Sequence, residues 1–270
     1  MIRRPTLERV AKKRHLMTTQ FGEVYEVSNA DGDTYSATVF WNHFDEYSLN
    51  SKAKIIQQIV LNKSLLYPAI QRTYDFSMTG FGRDKEIAIL NENCEGGRLR
   101  DNIPYLSRNL KIINIYGISE AMRYLHDRNI LYENLTTESV LLDELFNPKL
   151  TEIGYSNIFR TLEDMNKMAG MPAISAPETY IHDRYDQKSE VWSFGMIVYE
   201  ILTGNIPYSG LSPFEAMEKI VANELPEIPG TIENFLKDIM LKCWSFNPDD
   251  RPDFHQISNE FASYYTRNNK

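Results

Sequence analysis

The chain has 270 residues and a mass of 31.4 kDa; 42% of the residues are hydrophobic and 24% charged, which excludes collagen-like, low-complexity and wholly disordered readings. A net charge of −8 and an isoelectric point near 5.3 repel phosphate backbones and argue against a nucleic-acid binder. Cys94 and Cys243 are too few for a disulfide framework and have no partner at metal-ligand spacing. No apolar run approaches the roughly 20 residues that span a bilayer, so a cytoplasmic protein without a membrane span is expected.

In chain order, residues 1–16 come first, with Arg3, Arg4, Arg9, Lys12, Lys13 and Arg14 against Glu8 alone. They read as a basic, solvated leader, with contact to an anionic surface as the alternative. Residues 20–41 alternate in a strand-like way around the turn residues Asn29, Ala30, Asp31 and Gly32, which predicts a β-hairpin. Ile55, Ile56, Ile59, Val60 and Leu66 recur at helical spacing and stop before Pro68. Strands follow at 71–77 and 86–92, and the pattern breaks at Glu95, Gly96 and Gly97. Helices then dominate, at 110–128, 188–202, 213–222, 232–243 and 253–266. A small strand-rich half precedes a larger helical half, an α+β architecture.

Ala176, Pro177 and Glu178 precede the run Lys188 to Gly195, and Cys243 and Trp244 precede Arg251 and Pro252. In order and spacing these blocks resemble the large lobe of a protein kinase, closest to the tyrosine-kinase-like and tyrosine-kinase groups. The resemblance covers about residues 10 to 262. It implies a bilobal fold with a leader at 1–16, a small lobe at 17–92, a hinge at 93–97, a large lobe at 98–266 and a tail at 267–270. It further implies a buried Glu178–Arg251 charge pair, with Trp192 and Gly195 on the central helix.

The same resemblance assigns chemistry to positions where this chain carries other residues. Phe21, Gly22, Glu23 and Val24 match the second half of a glycine-rich loop, while Met17 and Thr19 stand at its first two glycine positions. Val39 falls where the phosphate-gripping lysine is expected, and Gln58, or Gln57 in the neighbouring register, where its glutamate partner is expected. The catalytic loop aligns with residues 132–139, placing Asn134 at the catalytic aspartate and Ser139 at the metal-binding asparagine. Glu133 stands at an arginine that commonly receives an activation-loop phosphate. Glu152, Ile153 and Gly154 replace the metal-binding Asp-Phe-Gly segment, leaving Glu152 as a weak metal candidate or a partly solvated carboxylate. His126, Asp127 and Arg128 look like the catalytic loop but come six residues too early, and read as the end of a helix.

A vestigial nucleotide pocket is implied at Gly22, Val24, Ala37, Glu92, Cys94 and Leu141, with Asn91 as gatekeeper. Tyr132 and Ile153 fall in a hydrophobic spine. Thr161 and the run Lys167 to Ala173 lie in the activation-loop interval. The expectation is a pseudokinase: not an enzyme, with no catalytic residue, no cofactor and no bound metal. Weak ATP binding, with or without metal, stays open. Such a domain would signal by binding another protein, such as an active kinase or an effector, through the helix around Gln58 or the activation segment. The alternative is a divergent nucleotide-binding kinase with residual or rearranged phosphotransfer.

Overall fold

A computed structural model describes residues 5–43, 47–81, 86–158 and 174–268. The small lobe is an antiparallel sheet of β1 (Ala11–Thr18), β2 (Gly22–Ser28), β3 (Thr34–His43), β4 (Thr73–Ser77) and β5 (Glu86–Glu92), in the order β1-β2-β3-β5-β4. From residue 5 on, the basic segment is not a solvated leader. Ala11–Thr18 pairs with β2 along its length, and Leu7 is buried with its amide 3.0 Å from Asp75 Oδ2. The lobe therefore begins well before residue 17. The charged residues of β1 sit on an edge strand, where they discourage pairing with another chain.

Helix α1 (Leu49–Ser64) starts six residues before the apolar pattern because Ser48 caps it, accepting from the Ser51 amide at 3.1 Å. Ile55 and Ile59 face the sheet and pack with Phe21, Phe40, Ile87, Ile89 and Tyr155. Ile56 and Val60 face outward. On the opposite face of the sheet, Ala37, Val39, Ala88 and Leu90 pack with Leu7 and Val27. The two layers follow from the strict alternation of β3 and β5.

The large lobe opens with a second small sheet, β6 (Gly97–Arg98), β7 (Val140–Leu142) and β8 (Pro148–Leu150). Its helices are α2 (Leu99–Asn102), α3 (Arg108–His126), α4 (Tyr155–Ile158), α5 (Pro177–His182), α6 (Gln187–Thr203), α7 (Pro213–Val221), α8 (Asn234–Cys243) and α9 (Phe254–Asn268). Helix α6 is buried on nearly all sides. Asp186 and Ser189 close a capping box at its start, and Gly204, at φ 75°, ends it. Among the described residues no helix is long and apolar enough to cross a membrane.

Gly195 of α6 allows α8 its close approach. A Cβ there would lie 2.6 Å from Trp244 Nε1 and 2.9 Å from Cys243 Cβ, both in fully buried residues with nowhere to move. Gly195→Ala is expected to cost about 1–3 kcal/mol, read as a lowered urea midpoint. An unchanged midpoint would mean that α6 and α8 part freely.

Candidate active site

Between the lobes lies a cavity of about 190 Å³, roofed by Val24, Ser36 and Thr38 and floored by Leu141. Strand alternation presents Ser36 and Thr38 to it. Ala37 and Val39, expected to face it, point to the outer layer instead. The β3 position that meets the cleft opposite Val24 is thus Thr38, its cross-strand partner, and not Val39. Gly22 lies elsewhere: a Cβ on it would strike the Val39 carbonyl, so it serves the tight β2–β3 pairing.

The hinge is wired from inside the cavity. The Glu92 carbonyl accepts from Ser36 Oγ and from Gln71 Nε2, each at 2.9 Å, so both of its lone pairs are engaged. The Glu92 carboxylate turns outward to Lys149 Nζ at 2.7 Å. Cys94 is buried, and burial first, then the Glu92 charge, pushes its thiol up to about 12. Asn91 is buried and accepts from Thr73 Oγ1 at 3.0 Å.

Among the described residues Gln58 meets amide and carbonyl groups and no cation. Its Nε2 donates to the Ile153 carbonyl at 3.1 Å and to Asn62 Oδ1 at 3.1 Å, while Asn62 Nδ2 donates to the same carbonyl at 3.1 Å. Two amides thus fasten α1 to residues 152–154. Tyr132 and Ile153 are buried together in the large-lobe core. The Tyr132 hydroxyl lies 2.7 Å from the Thr151 carbonyl and 2.9 Å from that of Ser139, and burial raises its pKa.

The loop 132–139 is held at both ends by acids of α6. Glu190 accepts from the Glu133 amide at 2.6 Å and from Tyr185 Oη at 3.0 Å, and its other oxygen meets His126 Nε2 at 2.7 Å. His126 thus supports the loop from outside the cleft. Glu200 accepts from Thr137 Oγ1 and Arg100 Nε, both at 2.8 Å. Asn134 lines the cavity. Ser139 Oγ is turned into the loop, donating toward the Asn134 carbonyl at 2.7 Å and accepting from the Thr136 amide at 3.1 Å.

Glu152 is the ionisable group at the back of the cleft. It sits in the left-handed region at φ 57°, a conformation a non-glycine residue holds only where its surroundings impose it. Burial pushes its carboxyl up to about 7, against the opposing pull of a Thr19 hydrogen bond and of the Arg98 charge. The donor set does not fit a metal held by the protein. Among the described residues no three His, Cys, Asp or Glu side chains cluster, Ser139 is committed to its loop, and Glu152 keeps its proton up to about neutrality.

Sequence reasoning missed Ser36, Thr38, Asn62, Gln71 and Arg98. The last carried a signal, a basic residue directly after Gly96 and Gly97 where the chain enters the cleft. Thr161 and the run Lys167 to Ala173 lie outside the described residues.

A family model of protein tyrosine and serine/threonine kinases matches residues 10–261, and the chain belongs to this family. It is 34% identical over 213 residues to a probable serine/threonine-protein kinase of Dictyostelium discoideum, covering 75% of this chain and 16% of that protein. It is 28% identical over 248 residues to mitogen-activated protein kinase kinase kinase 1 of Arabidopsis thaliana, covering 88% of this chain and 40% of the relative. With the Arabidopsis serine/threonine/tyrosine-protein kinase HT1 it shares 27% identity over 213 residues, 77% of this chain and 55% of the relative. The chain therefore spans about half or less of the length of these relatives. They are named as kinases, and this overturns the expectation that the chain is not an enzyme.

Proposed function

We propose that this chain is a divergent kinase domain of a cytoplasmic signalling protein, which takes a nucleotide between its lobes, transfers phosphoryl groups through a rearranged set of side chains, and contacts another signalling protein. The observation that carries this reading is the preformed interlobe cavity with the Glu152 carboxyl set into it. A carboxyl that titrates near 7 is matched to moving a proton at neutral pH, a task Asn134 cannot take on because an amide is not basic there. The two free, buried cysteines suit a reducing compartment. Losing the Glu152 base should slow transfer by about 10²–10⁴-fold, the usual worth of general-base assistance.

The test follows γ-phosphate incorporation by wild type and by Glu152→Gln, between pH 6 and 8. Incorporation that rises as pH passes about 7 and is lost in the variant supports the reading. Equal incorporation by both removes Glu152 from the chemistry, and a protein that binds ATP without transferring phosphate overturns the transfer half.

A further inference from the structure

Arg98 is the single cation among the described residues that line the interlobe cavity. It comes from the large lobe, at the point where the chain leaves the hinge, and its Nη2 donates to the backbone carbonyl of Thr18. The guanidinium therefore lies beneath the turn joining β1 and β2, the part of the small lobe that closes over the cavity with Met17 and Thr19. Among the described residues no carboxylate lies within ion-pair distance of it. Its neighbour Arg100, by contrast, is spent on Glu138 and Glu200.

The remaining charges of the cavity are arranged around this cation. Glu138 is paired with Arg100, and Glu152 holds its proton up to about neutrality. An anion entering under the β1–β2 turn meets one unpaired guanidinium, with forked donors suited to phosphate oxygens. The base end is less inviting, because the Glu92 carbonyl already accepts from Ser36 and Gln71. A nucleobase has to displace one of these donors to use it.

We infer that Arg98 is the phosphate-binding residue of this cleft, exchanging the Thr18 carbonyl for the phosphate chain of a nucleoside di- or triphosphate, without a divalent cation. This rests on the proposal that the cleft takes a nucleotide. Arg98 stands here as a ligand-binding residue, and no covalent step is assigned to it.

The test is a set of titrations of the whole chain with AMP, ADP and ATP in EDTA and again with Mg²⁺, for wild type and Arg98→Ala. Wild type is expected to bind more tightly with each added phosphate, and EDTA should change the ATP affinity by no more than about twofold. Arg98→Ala should flatten that gradient, weakening ATP about tenfold or more while AMP changes little, since a hydrogen-bonded charge contact is worth about that much. Arg98→Lys should recover part of the gradient. A gradient unchanged in Arg98→Ala, an equal loss for AMP and ATP, or ATP binding that disappears in EDTA each overturns the assignment. If wild type binds none of the three nucleotides, the nucleotide reading itself fails, a result distinct from any change confined to the variant.

Discussion

Arg251→Ala is expected to destabilise the protein by about 3–5 kcal/mol, enough to leave a marginal domain largely unfolded at 37 °C. All five donors of this buried guanidinium are used. Nη1 and Nη2 meet Glu178 Oε1 and Oε2 at 2.7 and 2.8 Å, and Nε reaches the Ser245 carbonyl at 2.8 Å. The other two reach the carbonyls of Lys188 at 2.9 Å and Phe246 at 3.3 Å. The side chain also lies over the Trp192 ring, 5.2 Å from its centre. Truncation strands a carboxylate and three carbonyls in a space water does not reach, so most of the cost is desolvation without compensation. Glu178→Gln should cost less, because the amide keeps an acceptor for Ser189 Oγ, which lies 2.8 Å away. Urea unfolding of both variants and their combination decides the matter. The double variant should fall short of the sum of the singles, since the ion pair they share is lost only once. Simple additivity would mean that the two side chains act independently.

A second large effect depends on pH. The Glu152 carboxyl is held up at about 7 in the folded chain, above its usual 4.5. Between these values the folded protein carries a proton that the unfolded chain has released, so stability falls as pH rises through this window. The loss amounts to about 3 kcal/mol above neutrality. Glu152→Gln, neutral throughout, is therefore expected to match wild type near pH 4.5 and to exceed it by about that margin at pH 8. The difference between the two proteins isolates this group from all other titrating carboxylates. A margin that does not vary with pH would show that Glu152 ionises in the folded state as readily as in the unfolded one.

The large lobe was legible in the sequence because its helices are anchored by residues with few alternatives, such as Trp192, Gly195 and the Glu178–Arg251 pair. The five helices predicted there end within two residues of the observed ones, while the short helices α2, α4 and α5 were not predicted. The sheet was harder. In β3 the residues Ser36, Ala37, Thr38 and Val39 are all small or β-branched and suit either face, so sequence alone does not choose between registers, and a one-residue slip turns every side chain over. The pairing with β2 and β5, and the burial of Leu7 beneath the outer layer, set it. Strand β1 was hidden by its charge, since a run of exposed basic residues on an edge looks the same as a solvated tail. The cavity's own wiring rests on Gln71 and Arg98, which act through contacts to backbone carbonyls of distant residues, and such contacts leave no local pattern.

The clasp of Gln58 and Asn62 on the Ile153 carbonyl has a consequence for how the helix responds to its medium. Neutral amides carry no net charge for dissolved ions to shield, so this clasp should hold equally in dilute buffer and in molar sodium chloride, unlike the Lys63–Asp75 ion pair at the end of the same helix. An assembly that needs the clasp opened will have to supply competing hydrogen-bond donors or acceptors, because added electrolyte gives it no leverage on these amides.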